Sequence, residues 1–293
     1  MKEKIYVVLV TYEPNIETLN KCINSLVSQV KKIIIVDNTP LRCKELDFLN
    51  HKDIEIIYLN DNFGIAYAQN IGVKKALSEN TDFVLFSDQD TIYGNDYIDK
   101  LLLCFNEYKN NKRIAAVAPV YRDINSMEIQ PMVYFKNLRL LKTYDLEKCE
   151  SVSHVISSGM LIPSNIFSKV GYLQEELFID WVDTEWCWRA LLLNYEILQT
   201  PKVIIEHEHG SYSKKLLGKN VPIHNNPMRN YYRLRNATYM LIHSDLNLAM
   251  KLNLLKRIRT MIPIHFLTTK NKNEEIIRIF KSLKDGMIKK LGK

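Results

Sequence analysis

Two carboxylates two residues apart, Asp88 and Asp90, flank Gln89 directly after the apolar run 83–86. Paired acids placed just past a buried strand can hold a hard divalent cation, Mg²⁺ or Mn²⁺, through oxygen ligands and so neutralise a departing diphosphate. The same tripeptide also suits an acidic turn in which Asp90 caps the following helix. A second constellation runs through 180–189 as Asp-Trp-Val-Asp-Thr-Glu-Trp-Cys-Trp-Arg and contains all three tryptophans of the chain, Trp181, Trp186 and Trp188. Indole faces stack on sugar rings, and apolar packing raises a nearby carboxyl into the range of a general base. The other reading is a helix start with Asp183 as N-cap and Trp186 in the core. Asp183 can cap a helix and still face a cleft.

Three weaker signals accompany these. His207-Glu208-His209-Gly210 follows the apolar run 203–205. Alternate strand residues share a face, so His207 and His209 could address one site, although their spacing is not a zinc motif. Asn62-Phe63-Gly64 and Asn70-Ile71-Gly72 frame a helix start whose backbone N–H groups could approach phosphate or ribose. Neither a GxGxxG nor a Walker A lysine motif is present, which disfavours dinucleotide oxidoreductases and P-loop ATPases. Arg229, Arg233 and Arg235 surround Tyr231 and Tyr232, a cluster able to grip phosphate or to form a polar helix end.

The elements that must carry these residues alternate. Runs 5–11, 33–36, 54–59, 83–86 and 115–119 read as strands buried on both faces, as in a parallel sheet. Ile16, Leu19, Ile23, Leu26 and Val30 lie on one helix face, and 66–77 and 96–108 supply two more helices. That alternation predicts a doubly wound α/β sheet with right-handed crossovers and a ligand site beyond the strands' carboxyl ends, where Asp37 and Asp88 fall. Further on, 184–194 reads as a helix and 203–205 as a strand, while 120–160 shows no clear period.

Composition bounds the reading. The 293 residues are 46% hydrophobic and 25% charged, which is ordinary for a globular chain and excludes collagen-like and disordered classes. Five widely spaced cysteines without a Cys-x-x-Cys argue against a disulfide framework or thiolate zinc site, and for a reducing cytoplasmic setting. The net charge of +7 is localised: residues 251–293 hold 12 Lys/Arg against 3 Asp/Glu, leaving the first 250 residues at −2. Within that tail Ile276, Ile279, Phe280, Leu283, Met287 and Leu291 recur at helical spacing with Arg278, Lys281, Lys284 and Lys289 among them. A second helical stretch, 252–267, is interrupted by Pro263. The tail reads as a basic amphipathic surface for an anionic membrane, or as a dimerising or core-packing helical pair.

Taken in order, these motifs resemble the family 2 glycosyltransferases of GT-A fold, and more narrowly the bacterial rhamnosyltransferases. The likeness spans roughly residues 3–240. Val10-Thr11-Tyr12, Val36-Asp37-Asn38, Asn62-Phe63-Gly64 with Asn70-Ile71-Gly72, and Asp88-Gln89-Asp90 match the nucleotide-sugar half. Ser158-Gly159-Met160, the 183–189 segment, 207–210, and the Tyr-Arg-Asn-bearing 230–236 match the acceptor half.

The resemblance implies a catalytic domain over 1–245, split near 120, followed by the tail 246–293. It implies that Asp37 meets a pyrimidine, Asp88 the ribose or base edge, and that Asp90 with His207 binds Mg²⁺ or Mn²⁺. Thr11, Tyr12, Asn62, Gly64 and Asn70 would line the nucleotide-sugar site. Gly159, Trp181 and Trp186 would contact the acceptor, and Arg229 and Arg233 the diphosphate. Asp183 would be the base of an inverting transfer. Val182-Asp183 stands where the family often has Glu-Asp, which leaves Asp180 as a second candidate.

The reading that follows is transfer of L-rhamnose from dTDP-rhamnose to a glycan acceptor, carried on polyprenyl diphosphate, by a cytoplasmic protein peripheral to the inner membrane face. A UDP-hexose or UDP-N-acetylhexosamine donor and a non-catalytic sugar-binding subunit are the alternatives. A nucleotidyltransferase would need a glycine-rich loop where Thr11-Tyr12-Glu13-Pro14-Asn15 stands. No nucleic-acid partner is expected, and nothing in the sequence specifies an oligomeric state.

Overall fold

Every residue of the first strand, β1 (Ile5–Thr11), is buried, because helices cover both sides of the sheet it centres. The computed structural model describes residues 3–49, 52–207, 212–216, 219–223, 226–269 and 271–293, with 212–216 and 219–223 traced by backbone alone. After β1 come α1 (Ile16–Leu26), β2 (Lys32–Asp37), β3 (Ile54–Tyr58), α2 (Ile65–Ser78), β4 (Phe83–Ser87), α3 (Tyr97–Tyr108) and β5 (Ile114–Asp123). The chain continues through β6 (Met132–Lys136), β7 (Arg139–Thr143), β8 (Glu150–Val152), β9 (Leu161–Pro163), α4 (Phe167–Val170), α5 (Val182–Leu192) and β10 (Glu196–His207). A hairpin of β11 (Tyr212–Leu216) and β12 (Lys219–Ile223) precedes three helices, α6 (Pro227–His243), α7 (Leu248–Thr268) and α8 (Lys272–Met287).

Eight strands form one sheet in the order β3-β2-β1-β4-β9-β5-β10-β8. The block β3-β2-β1-β4 and the pair β5-β10 are parallel, while β9 joins them by antiparallel pairing. Period-two alternation divides the core. Tyr6, Val8 and Val10 face the α2 and α5 side, whereas Ile5, Val7 and Leu9 face α1 and α3. The chain leaves β1 for β2 on one flank and returns to β4 on the other, so the switch point of the sheet falls between β1 and β4.

Several boundaries differ from the sequence reading. Asp37 is the last residue of β2, held by the β1 pairing Thr11↔Asp37. The expected strand 203–205 is the end of a twelve-residue strand, β10, whose register against β5 shifts between Thr200 and Ile204. The unreadable stretch 120–160 forms the β6–β7 hairpin and β8, short half-buried strands that carry little hydrophobic period.

α7 runs through Pro263 as one helix, because Met261 and His265 on either side are anchored in buried positions. The tail is also less separate than expected. Trp188 of α5, Leu234 and Met240 of α6, Leu254 and Ile258 of α7, and Ile279 of α8 form one core. Of the apolar face expected on 274–291, Ile279 packs inward while Ile276, Phe280 and Met287 remain exposed.

Gly72 sets how closely α2 approaches the sheet: an added Cβ would stand 2.4 Å from Val8 Cγ1 and 3.2 Å from Val36 Cγ2. Gly72→Ala should therefore cost about 1–3 kcal/mol by overpacking. Thermal unfolding should show the midpoint falling by roughly 3–10 °C. An unchanged midpoint would mean that the α2–β1 contact is looser than described.

Candidate active site

At the switch point the strand ends bring polar side chains out of an otherwise apolar sheet. Asp37 is 1% exposed, and its Oδ1 accepts from Thr11 Oγ1 at 3.0 Å and Thr39 Oγ1 at 2.6 Å. Next to it, Asn38 Nδ2 donates to Asn62 Oδ1 at 3.1 Å, and Asn38 Oδ1 accepts from the Phe63 amide at 2.9 Å. Tyr12 is pinned by its backbone: its N–H donates to Gln89 Oε1 at 2.9 Å, and Gln89 Nε2 donates back to Tyr12 O at 3.3 Å. Gln89, which carried no role in the sequence reading, is thus the side chain that ties the end of β1 to the acidic turn after β4.

Asp88 and His207 meet at that turn from opposite ends of the chain. The Asp88 carboxylate lies 3.5 Å from His207 Nδ1. Burial raises its pKa, His207 opposes that rise, and the neighbouring Asp90 adds to it. The His207 ring is held edge-on against Tyr121 at 5.9 Å. Asp90 is exposed and, with Asn15, Thr18 and Gln89, lines a cavity of about 180 Å³ at the start of α1. Its expected alternative as a helix cap is not realised, since α3 begins at Tyr97 with Asp96 preceding it. Glu208, His209 and Gly210 lie outside the described residues.

The second constellation is organised by backbone. Phe178, Asp180 and Trp181 all take positive φ (66°, 62° and 69°), a left-handed geometry that costs on the order of 1–3 kcal/mol per non-glycine residue. α6 holds this segment in place. Asn236 Nδ2 lies at hydrogen-bond distance from the carbonyls of Leu177 (2.8 Å), Ile179 (2.9 Å) and Asp180 (3.1 Å). Arg235 Nη2 donates to Leu177 O at 3.2 Å, and Trp181 Nε1 donates to Arg233 O at 3.0 Å. Arg229 grips both Asp180 oxygens at 3.1–3.2 Å.

On the other side Gly64, itself at φ 89°, lies so close that its missing Cβ would be 2.5 Å from Phe178 O. The loop delivers Asp183 to the first turn of α5, capped by Trp181 rather than by Asp183. Burial pushes the Asp183 carboxyl up to about 6, opposed by the Thr184 amide that donates to Oδ1 at 2.7 Å, and reinforced by the charges of Asp180 and Asp88.

The structure therefore separates the expected residues. Asp37, Asn62, Tyr12, Asp88, Asp90 and His207 gather around the switch point, and Asp183 feels the charge of Asp88 across the cleft. Others have different surroundings. Asn70 is 1% exposed and ties α2 to Leu173 through both its amide atoms. Gly159 is buried, its carbonyl accepting from Tyr97 Oη at 2.7 Å, because Tyr97 occupies the space beside it. Trp186 is fully buried, with Nε1 donating to Gly171 O at 2.9 Å, so its ring offers no face to a sugar. Gly64 serves packing against Phe178. Arg229 is taken up by Asp180, and Arg233 lines a different cavity. Arg235 and Asn236 hold the loop, a role that the cluster 229–236, read as gripping phosphate or forming a polar helix end, did not suggest.

The family model for glycosyl transferase family 2 matches residues 6–171. The chain is 35% identical to the dTDP-rhamnosyl transferase RfbF of Shigella flexneri, across 98% of this chain and 96% of that one. It is 26% identical to the low-salt glycan biosynthesis hexosyltransferase Agl10 of Haloferax volcanii, across 71% and 68%. Among solved structures, TarS of S. aureus in complex with UDP-GlcNAc superposes with a TM-score of 0.62 at 18% identity, covering 97% of this chain and 80% of that one. GalNAc-T7 with UDP, GalNAc and Mn²⁺ superposes at 0.58, with 14% identity over 76% and 45%. The chain belongs to glycosyltransferase family 2, has the GT-A fold and is a glycosyltransferase.

The raised Asp183 carboxyl has a stability consequence. As pH rises from about 4 through about 6, the unfolded chain ionises this group freely while the folded chain resists, so native stability is lost over that window. Asp183→Asn should thus raise the thermal midpoint over the parent at pH 7.5, with the difference shrinking toward pH 4. An equal difference at both pH values would contradict the burial of the carboxylate.

Proposed function

We propose that this glycosyltransferase moves L-rhamnose from dTDP-rhamnose onto a hydroxyl of a lipid-carried cell-surface glycan precursor, with inversion at the anomeric carbon. The donor assignment is carried by one observation, the near full-length likeness to the Shigella dTDP-rhamnosyl transferase. The reaction class is supported by the site, where a carboxyl pushed up to about 6 by burial feels the charge of Asp88, itself beside the His207 imidazole.

In this reading Asp37, fixed by Thr11 and Thr39, and the Asn38–Asn62 pair receive the nucleobase end of the donor, with Asp88 at the ribose. Asp90 and His207 would hold Mg²⁺ or Mn²⁺. One carboxylate and one imidazole suit such an ion, and among the described residues no three His, Cys, Asp or Glu side chains close into a cage. That incomplete set fits a cation that fills its remaining positions from substrate phosphate and water. When bound, the ion would neutralise charge gathering on the leaving diphosphate.

Asp183 takes the proton of the acceptor hydroxyl as its oxygen bonds to the anomeric carbon. The bond from that carbon to phosphate breaks on the far side, and the diphosphate departs with the electron pair, which inverts the centre. Trp181, half-buried at the start of α5, offers the indole face that Trp186 cannot.

The tail supports placement at an anionic membrane surface. No helix among the described residues is long and apolar enough to cross a bilayer. Ile277 and Phe280 are 68% and 69% exposed on α8 with Lys281 and Lys284 beside them, a surface that favours anionic lipid by about 1 kcal/mol per cation. Replacing Ile277 and Phe280 together by Glu should abolish flotation with anionic vesicles while leaving the thermal midpoint in place. Retained flotation would exclude this face.

For the reaction itself, nucleotide diphosphate release should be followed across a panel of dTDP- and UDP-sugars, with Mg²⁺, with Mn²⁺ and with EDTA. Metal-dependent turnover of dTDP-rhamnose is expected, falling at least a hundredfold in Asp90→Ala. Turnover of a UDP-sugar alone would overturn the rhamnose assignment, and full turnover in EDTA would overturn the metal.

A further inference from the structure

A second cavity, of about 120 Å³, is lined by Trp181 just before α5, Arg233 of α6, and Arg257, Thr260, Met261, Ile264 and His265 of α7. It shares no lining residue with the Asp90 cavity. Its composition is unusual in one respect. Two arginines line it, and neither makes an ion pair or side-chain hydrogen bond with any described residue. The acid whose charge acts on Arg233, Asp180, has both oxygens occupied by Arg229. Burial holds the half-buried Arg233 guanidinium below the usual arginine range, and the charges of Arg229 and Arg257 push the same way against the pull of Asp180. Burial also lowers His265 to about 4, so its ring is neutral near pH 7 and offers a hydrogen bond but no third charge.

Arg233 inside the cavity and Arg257 at its exposed mouth repel one another, and an anion between them relieves that repulsion. A cavity of this size holds roughly four waters at about 30 Å³ each, room for a phosphate group. Guanidinium forks match phosphate oxygens in pairs. The position is equally specific. Trp181 ends the strained loop two residues before Asp183, and the Tyr121 hydroxyl feels the charges of both Asp183 and Arg257.

We propose that this cavity seats a phosphate or diphosphate group carried by the acceptor, beside the sugar whose hydroxyl Asp183 deprotonates. The inference rests on the reading of Asp183 as the base and gives the acceptor a chemical class, a phosphorylated glycan or glycolipid. It also moves Arg233 from the donor diphosphate to the acceptor side.

The test is calorimetric binding of inorganic pyrophosphate to the full chain, first alone and then saturated with dTDP, for the parent, Arg257→Gln, Arg257→Lys and Arg233→Gln. Pyrophosphate should still bind the dTDP-saturated parent. Arg257→Gln and Arg233→Gln should each weaken it about tenfold or more, Arg257→Lys by less, with dTDP affinity changed less than twofold. Arg257 is exposed at the cavity mouth, so its variants keep a folded protein against which a misfolded Arg233→Gln can be set. Loss of pyrophosphate binding on adding dTDP, or equal binding in Arg257→Gln, would overturn the proposal. A short prenyl diphosphate that binds more tightly than pyrophosphate, with the same sensitivity to Arg257, identifies a lipid-carried group; equal affinities identify phosphate on the glycan. Asp183→Asn should bind pyrophosphate like the parent. If that variant also retained transfer, the base assignment would fail while the anion site stood.

Discussion

The left-handed segment 178–181 is the constraint on which the site depends. Three non-glycine residues there hold backbone angles that would relax in isolation, and they persist because α6 accepts no alternative. Asn236 alone reaches three carbonyls of the loop, Arg235 adds a fourth contact, and Gly64 leaves no space on the opposite side. Because Gly64 precedes α2 near the start of the chain and α6 lies near its end, one short loop fixes the distance between them. Asp183 inherits its position and its desolvation from that arrangement.

The tail takes part in the same arrangement. The Gly292 amide donates to Glu176 O at 2.8 Å, Arg235 Nη1 donates to Gly292 O at 2.6 Å, and Lys293 pairs with Asp61 at 3.0 Å. α8 also carries Asp285, whose Oδ2 accepts from Tyr231 Oη at 2.6 Å. Gly286 lets α8 approach within reach of the Arg235 carbonyl, where a Cβ would stand 2.5 Å away. The last three helices thus do two things: they buttress the loop 178–181, and they expose Ile277 and Phe280.

The strand-and-helix order of the first 120 residues was legible because both faces of the parallel block are covered. Runs such as Ile5–Thr11 are consequently apolar throughout, and the acids that interrupt them stand at strand ends. The β6–β7 hairpin and β8 were not legible, since half-buried short strands mix polar and apolar residues without period. Among candidate site residues, Asp37, Asp88 and His207 lie at strand ends around the switch point, and Asp183 feels the charge of Asp88. Asn70, Gly159 and Trp186 looked the same in sequence, yet tertiary contacts engage them in packing, and nothing local distinguishes an asparagine that binds ribose from one that ties a helix to a distant carbonyl. In the Arg-rich stretch of α6, which read as gripping phosphate or forming a polar helix end, the partners of Arg229 and Arg235 are an aspartate and backbone carbonyls that only folding brings near.

Whether the loop sets the reactivity of Asp183 is most directly read from the pH dependence of kcat/KM in the parent and in Asn236→Ala. The account predicts a rate that falls below about pH 6 in the parent, as the carboxyl becomes protonated. In Asn236→Ala it predicts a lower plateau and an acid limb moved toward the ordinary carboxylate range, since a released loop lets water reach Asp183. An identical limb in both proteins, or a rate that does not fall on acidification, would contradict it.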